Sequence, residues 1–212
     1  MSCRFLRVQF VVVAAVLSIA MLLFAAHRHE SESSPQFRAV IDLDGADALT
    51  QTATETTFVS PAKMGGAWNV ASLPPSRLIA PVAVIEAEHK NFPASESLVT
   101  MDDVASFERL HGPVPQGAVI LLASSNAGTI PVIDHDALHF LAEARNVVGL
   151  GNAGSRMTAV DEDSYLAKKG IYELENVGNL GILPRSGAIA IAAPEKTAGA
   201  KEAPARLMAL LK

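Results

Sequence analysis

The sequence predicts a mixed α/β domain over residues 35–212, behind an apolar segment and short tether over residues 1–34. Three observations carry that expectation. Short apolar runs alternate with helical patterns along the body, as in chains that cover a sheet with helices. Half of the 212 residues are hydrophobic and 18% are charged, which supplies a core and excludes a disordered or collagen-like chain. The single cysteine, Cys3, excludes an intrachain disulfide and a cysteine-based zinc site. A net charge of −5 also argues against a nucleic-acid partner, which needs a basic face.

Residues 8–26 carry no charge. They just reach the roughly 20 apolar residues that a helix needs to span a membrane. Arg4 and Arg7 precede the run, and His27, Arg28 and His29 follow it. The charge bias predicts a cytoplasmic N-terminus and an exported body. A cleaved signal peptide is the alternative, but cleavage after Ala26 would put the bulky Phe24 where a small residue belongs. The expectation is a membrane-anchored protein whose domain is periplasmic or extracellular, or secreted if the segment is removed. Residues 29–35 are polar and read as a tether.

In the body, residues 38–43 read as a first strand and residues 78–86 as a second, with Pro81 marking an edge or a bulge. Thr100 with Asp103 three positions on starts a helix that runs to about Leu110 and stops at Gly112-Pro113. Pro115-Gln116-Gly117 turns into a buried strand over 118–124. Asp134 caps a helix reaching Arg145, and residues 146–151 form another buried strand. A helix over 161–169 closes at Gly170. Strands over 188–193 and 206–211 end the chain.

Several residue patterns carry chemistry. His135 and His139 stand at i and i+4, so they share a helix face and could supply half of a metal site. A solvated helix face is the plainer reading, because two ligands seldom hold zinc without others. His89 and His111 sit in polar, exposed contexts. Glu175 is either a residual general acid or base or a holder of loop backbone. Residues 124–128 lack the Gly-x-Ser-x-Gly elbow of a serine hydrolase and read as a short connection. Gly149, Gly151 and Gly154 match the spacing of a dinucleotide loop, but neither the helix nor the acidic residue that such a loop needs follows.

The order of further motifs resembles the cyclase family of metal-dependent hydrolases, which includes bacterial kynurenine formamidase and isatin hydrolase. Trp68-Asn69-Val70, Leu73-Pro74 and Arg77-Leu78-Ile79-Ala80-Pro81 are similar to its segment after the metal motif. Pro115-Gln116-Gly117 with the following apolar strand, Val147-Val148-Gly149-Leu150-Gly151, Leu174-Glu175-Asn176, and Pro194 with Gly199 and Pro204-Ala205-Arg206 continue the series. The resemblance implies a swivelling β/β/α type of fold, self-association, and hydrolysis of amide or ester-like bonds. The family motif His-x-Gly-Thr-His-x-Asp-x-Pro-x-His puts alternating side chains on one face of an extended segment, where they grip a divalent cation. The metal activates water and polarises a carbonyl.

Here the motif aligns with residues 54–63. Thr56 and Pro61 remain, but the ligand positions fall on Thr57, Val59 and Lys63. Valine cannot coordinate, and lysine places a charge where the cation should be. The family's later histidine falls near Asp163, while Glu175 survives. The sequence therefore predicts a relative without the family's metal mechanism and with no cofactor. It would act as an exported binding or scaffolding module through a pocket of Trp68, Lys63, Asp163 and Glu175. Lys63 would suit a small anionic ligand. The alternative is a zinc- or manganese-dependent amidohydrolase with a rebuilt site that uses Asp163, Glu175 and His135 or His139.

Overall fold

Continuous apolar strands need cover on both faces, and the fold supplies it. The computed structural model describes residues 37–44, 55–87, 96–125 and 128–212. The predicted membrane segment at 8–26 and the tether lie outside them. Among the described residues, no helix is long and apolar enough to cross a membrane.

The described strands are β1 (Ala39–Asp42), β2 (Thr57–Val59), β3 (Ile79–Ala87), β4 (Glu96–Val99), β5 (Val119–Ser124), β6 (Ile130–Ile133), β7 (Gly149–Gly151), β8 (Tyr172–Glu175), β9 (Ser186–Pro194) and β10 (Glu202–Leu211). The helices are α1 (Met101–His111), α2 (His135–Ala144) and α3 (Asp163–Lys169). One sheet runs β1-β10-β2-β8-β7-β5-β3-β9, and β9 also pairs with β10. The strands from β10 to β9 thus close on themselves as a barrel, and closure removes most free edges. β10 makes this possible by its length: residues 202–204 pair with β2, residues 208–211 with β1, and the opposite edge with β9. β3, β5, β7 and β8 are mutually parallel neighbours, and α1, α2 and α3 lie in the crossovers between them. β4 and β6 form a separate parallel pair.

The period-2 alternation of a strand divides the core in two. Val82 and Val84 of β3 join Val119 and Leu121 of β5 and the ring of Tyr172 in one cluster, the barrel interior. Ala83, Ile85, Ile120 and Leu122 point the other way and pack with Phe107 of α1 and Leu138 and Leu141 of α2. β9 and β10 contribute mainly alanines to the interior, which leaves room for Phe58 and Tyr172, whose ring centroids are 4.7 Å apart.

The predicted punctuation is present. Thr100 and Asp103 form a capping box at α1. The Asp134 carboxylate accepts a 2.8 Å bond from the Ala137 amide at α2. Gly170 closes α3 with φ +69°. The register of β3 against β9 shifts between Pro81 and Ala83. The strand expected over 146–151 is limited to Gly149–Gly151, because Asn146 turns with φ +50° out of α2. A Cβ on Gly149 would come within 2.4 Å of the Tyr172 ring, so this glycine makes room for the ring in the barrel. Its spacing with Gly151 thus follows from packing, as the missing helix implied.

Candidate functional site

The site grows from two adjacent strands. β2 and β8 pair antiparallel, with Thr57 opposite Glu175, Phe58 opposite Leu174 and Val59 opposite Glu173. Phe58 and Leu174 belong to the barrel interior. Alternation therefore puts Thr57, Val59, Glu173 and Glu175 together on the outer face. After β2 the chain makes a short 3-10 turn over Pro61–Met64, which ends at Gly65 in the left-handed region and carries Lys63. The Ser60 hydroxyl anchors its start by donating to the Lys201 carbonyl at 2.6 Å.

A cavity of about 210 Å³ opens over this face. Val59, Lys63, Met64, Ser155, Arg156, Met157, Thr158, Asp163, Glu173 and Glu175 line it. The Lys63 ammonium donates to the Glu202 carboxylate. That bond raises the lysine pKa most, partial burial opposes it, and the charges of Glu175 and Glu173 add to the rise. Burial, then Asp163 and Glu175, push Glu173 up to about 7, against the pull of Lys63. Glu175 is also raised, first by burial. Arg156 is engaged elsewhere, with its guanidinium 3.1 Å from Glu96 and a 3.0 Å bond to the Thr158 carbonyl.

These residues do not fit the divalent cation of the family motif. Val59 offers no donor atom and is 1% exposed. Lys63 brings a bound cation of its own, tied to Glu202. Thr57 has only a hydroxyl.

The cavity includes Lys63, Asp163 and Glu175 of the expected pocket, together with Val59, but it does not include Trp68. Trp68 packs instead under the Arg77 guanidinium, 5.0 Å from its ring centroid, and against Gly170, where a Cβ would lie 2.6 Å from the ring. Glu175 stands in β8 rather than in a loop. His135 and His139 are also absent from the cavity lining, so they do not complete a site with Asp163 and Glu175.

They meet Glu162 instead. His135 Nδ1 lies 2.5 Å from Glu162 Oε1, and His139 Nε2 lies 3.5 Å from Oε2. The three residues can place one donor atom each within 4.8 Å of one another, so the expectation of no metal needs correction to allow a cation here. The face is not simply solvated, since His139 stacks on Tyr165 with centroids 3.7 Å apart. Sequence reasoning missed Glu162, because no local spacing links it to residues 135–139. It also missed Glu173, although the Tyr-Glu-Leu-Glu alternation of β8 sets it on the Glu175 face.

A family model described as "Putative cyclase" matches residues 15–153, more than half of the chain. An isatin hydrolase of Roseibium aggregatum is 28% identical over 160 residues, 64% of this chain. The chain spans about 60% of the length of that curated relative. Isatin hydrolase A from Ralstonia solanacearum superposes with a TM-score of 0.65 at 26% identity, covering 74% of this chain and 71% of that one. Isatin hydrolase A from Labrenzia aggregata, solved with benzyl benzoate, has the same fold at a TM-score of 0.63 and 21% identity, covering 85% and 86%.

Proposed function

This chain belongs to the cyclase family, and from that premise we propose that its cavity binds a small polar ligand without the family's metal-assisted hydrolysis. One observation carries the reading. The Lys63 ammonium stands at a family ligand position, bonded to Glu202 and within the fields of Glu173 and Glu175. A tethered cation thereby supplies part of the charge that a metal would have brought, but it has no open coordination position at which to activate water.

Charge accounting favours a particular ligand class. Lys63 and Arg156 are each paired with a glutamate, whereas Asp163, Glu173 and Glu175 all line the cavity. A small amine or a donor-rich amide meets that surplus better than the anion that Lys63 alone suggests. The apolar run at 8–26 supports the further proposal that the domain is held at a membrane on its exported side.

The test uses the full chain in detergent with isatin and N-formyl-kynurenine, with and without added zinc or manganese. No turnover above buffer is expected. In a thermal-shift series, small amines should raise the melting temperature and matched carboxylates should not, and Glu175→Gln should remove the response. Turnover that Glu175→Gln abolishes would overturn the proposal in favour of an amidohydrolase with a rebuilt site.

A further inference from the structure

We propose that His135, His139 and Glu162 form a divalent transition-metal site separate from the family's catalytic motif, which clamps α2 to the segment ahead of α3. His135 is the first residue of α2 and His139 follows one turn later, so both rings lie on one face with centroids 4.0 Å apart. Glu162 stands immediately before α3, and its side chain is 10% exposed. Its two carboxylate oxygens diverge, one to each imidazole.

The present contacts do not satisfy this group. Oε1 meets His135 at 2.5 Å, but the 3.5 Å approach of Oε2 to His139 Nε2 is not a hydrogen bond. That nitrogen is buried and makes no hydrogen bond among the described residues. A buried ring nitrogen without a hydrogen bond is costly, so its place 3.5 Å from Glu162 Oε2 is informative. Metal bonds of about 2.0–2.2 Å in a tetrahedron set ligand atoms roughly 3.3 Å apart. The donors already lie within 4.8 Å, so small side-chain rotations complete the site.

Support around the ligands restricts them. Tyr165 stacks on His139 at an interplanar angle of 13°, and its hydroxyl donates to Glu143 at 3.3 Å. Such neighbours fix the orientation of a ligating ring. Two imidazoles and one carboxylate suit zinc, cobalt or nickel better than calcium or magnesium, which prefer all-oxygen shells. His135, with its side chain 58% exposed, leaves a solvent side for a fourth, water ligand.

The placement gives the metal a structural effect. Between α2 and α3 the chain carries Met157 and Thr158, which wall the cavity; the Ile133 amide of β6 donates to the Met157 carbonyl, and the Ala159 amide donates to the Ile133 carbonyl. A metal that joins the ends of this connection would brace that wall.

Chelator-treated full chain in detergent would be titrated with cobalt alone and followed by visible absorption, then challenged with zinc. About one equivalent should bind with the intense bands of a low-coordinate site, and zinc should displace it. His139→Gln, His135→Asn and Glu162→Gln should each weaken cobalt binding at least about tenfold, while Glu175→Gln should leave it unchanged. Melting in excess chelator reports whether each variant is folded, and the exposed His135→Asn serves if His139→Gln is not. Absence of binding, or binding undiminished in a folded His135→Asn, would overturn the proposal. Loss of binding in Glu175→Gln alone would put the metal in the cavity, overturning this site and the metal-free cavity together.

Discussion

The two faces of β2 and β8 differ in kind although they alternate residue by residue. The inner face presents Phe58, Tyr172 and Leu174, all fully buried, to the barrel. The outer face carries Thr57 and presents Val59, Glu173 and Glu175 to a cavity rich in ionisable groups. The inner face is fixed by volume and shape, so it resists change. The outer face is fixed by charge balance, and a substitution there is tolerated if another charge compensates. On the proposed reading, replacement of the family's ligand residues by Thr57, Val59 and Lys63 belongs to the second kind. It alters the chemistry of one face and leaves the barrel beneath it intact.

The largest expected effect lies on the inner face. Phe58→Ala removes a ring that packs on Tyr172 and should cost about 3–5 kcal/mol at any pH. Urea unfolding at pH 5 and pH 8 would measure it. A loss under 1 kcal/mol would mean that the barrel interior collapses around the gap and is not the rigid partner in this contrast.

The outer face should respond to pH instead. Glu173 has a folded-state pKa of about 7, against 4.5 as its ordinary value. Below pH 4 both folded and unfolded chains hold the proton, and the group contributes nothing. Between about 4.5 and 7 the unfolded chain ionises while the folded one keeps its proton. Stability therefore falls as pH rises through this window and levels off above it. The shift corresponds to roughly 3 kcal/mol at most. Glu173→Gln should leave stability at pH 4 nearly unchanged and raise it by about 2–3 kcal/mol at pH 8. Denaturation of both proteins across the pH range would show their curves diverging, and parallel curves would place the cost of burial elsewhere.

A smaller effect is expected at α2. Asp134→Ala removes the side-chain acceptor of the Ala137 amide and should cost about 1 kcal/mol. It should also loosen His135, the next residue, without touching the cavity lining. If the loss is larger in the presence of zinc than in chelator, the helix start and the proposed metal site act as one unit.

Much of the architecture was legible because caps and apolar runs are local. Thr100, Asp134 and Gly170 each mark a boundary through their own backbone geometry. β2, β4, β6 and β8 are only three or four residues long, too short for a clear period, and become strands through pairing. The site was legible where sequence order equals spatial order. Alternation along residues 57–63 predicted a shared face, and the cavity brings Val59 and Lys63 together. Trp68 was misplaced because nearness in sequence to the motif does not put it on the same side of the turn at Pro61–Met64. The partner of His135 and His139 was illegible, since Glu162 reaches them only after β7 has returned the chain to the helical layer.

The smallest stability effect is the one most specific to the functional reading. Lys63 and Glu202 are both about half exposed, so their ion pair is worth at most about 1 kcal/mol. Lys63→Gln should therefore shift the melting temperature little. It should nonetheless move the titration of Glu173 upward, because the lysine is the cation that opposes burial, Asp163 and Glu175 there. The onset of the stability decline on the acid side stays where the unfolded carboxyl titrates, while its upper limit moves above pH 7. Carboxyl NMR titration of the two proteins separates that shift from any change in melting. A Glu173 titration indifferent to Lys63 would show that the ammonium is committed to Glu202 alone and does not balance the outer face. A raised one would show that the lysine does for these carboxylates part of what a bound cation would.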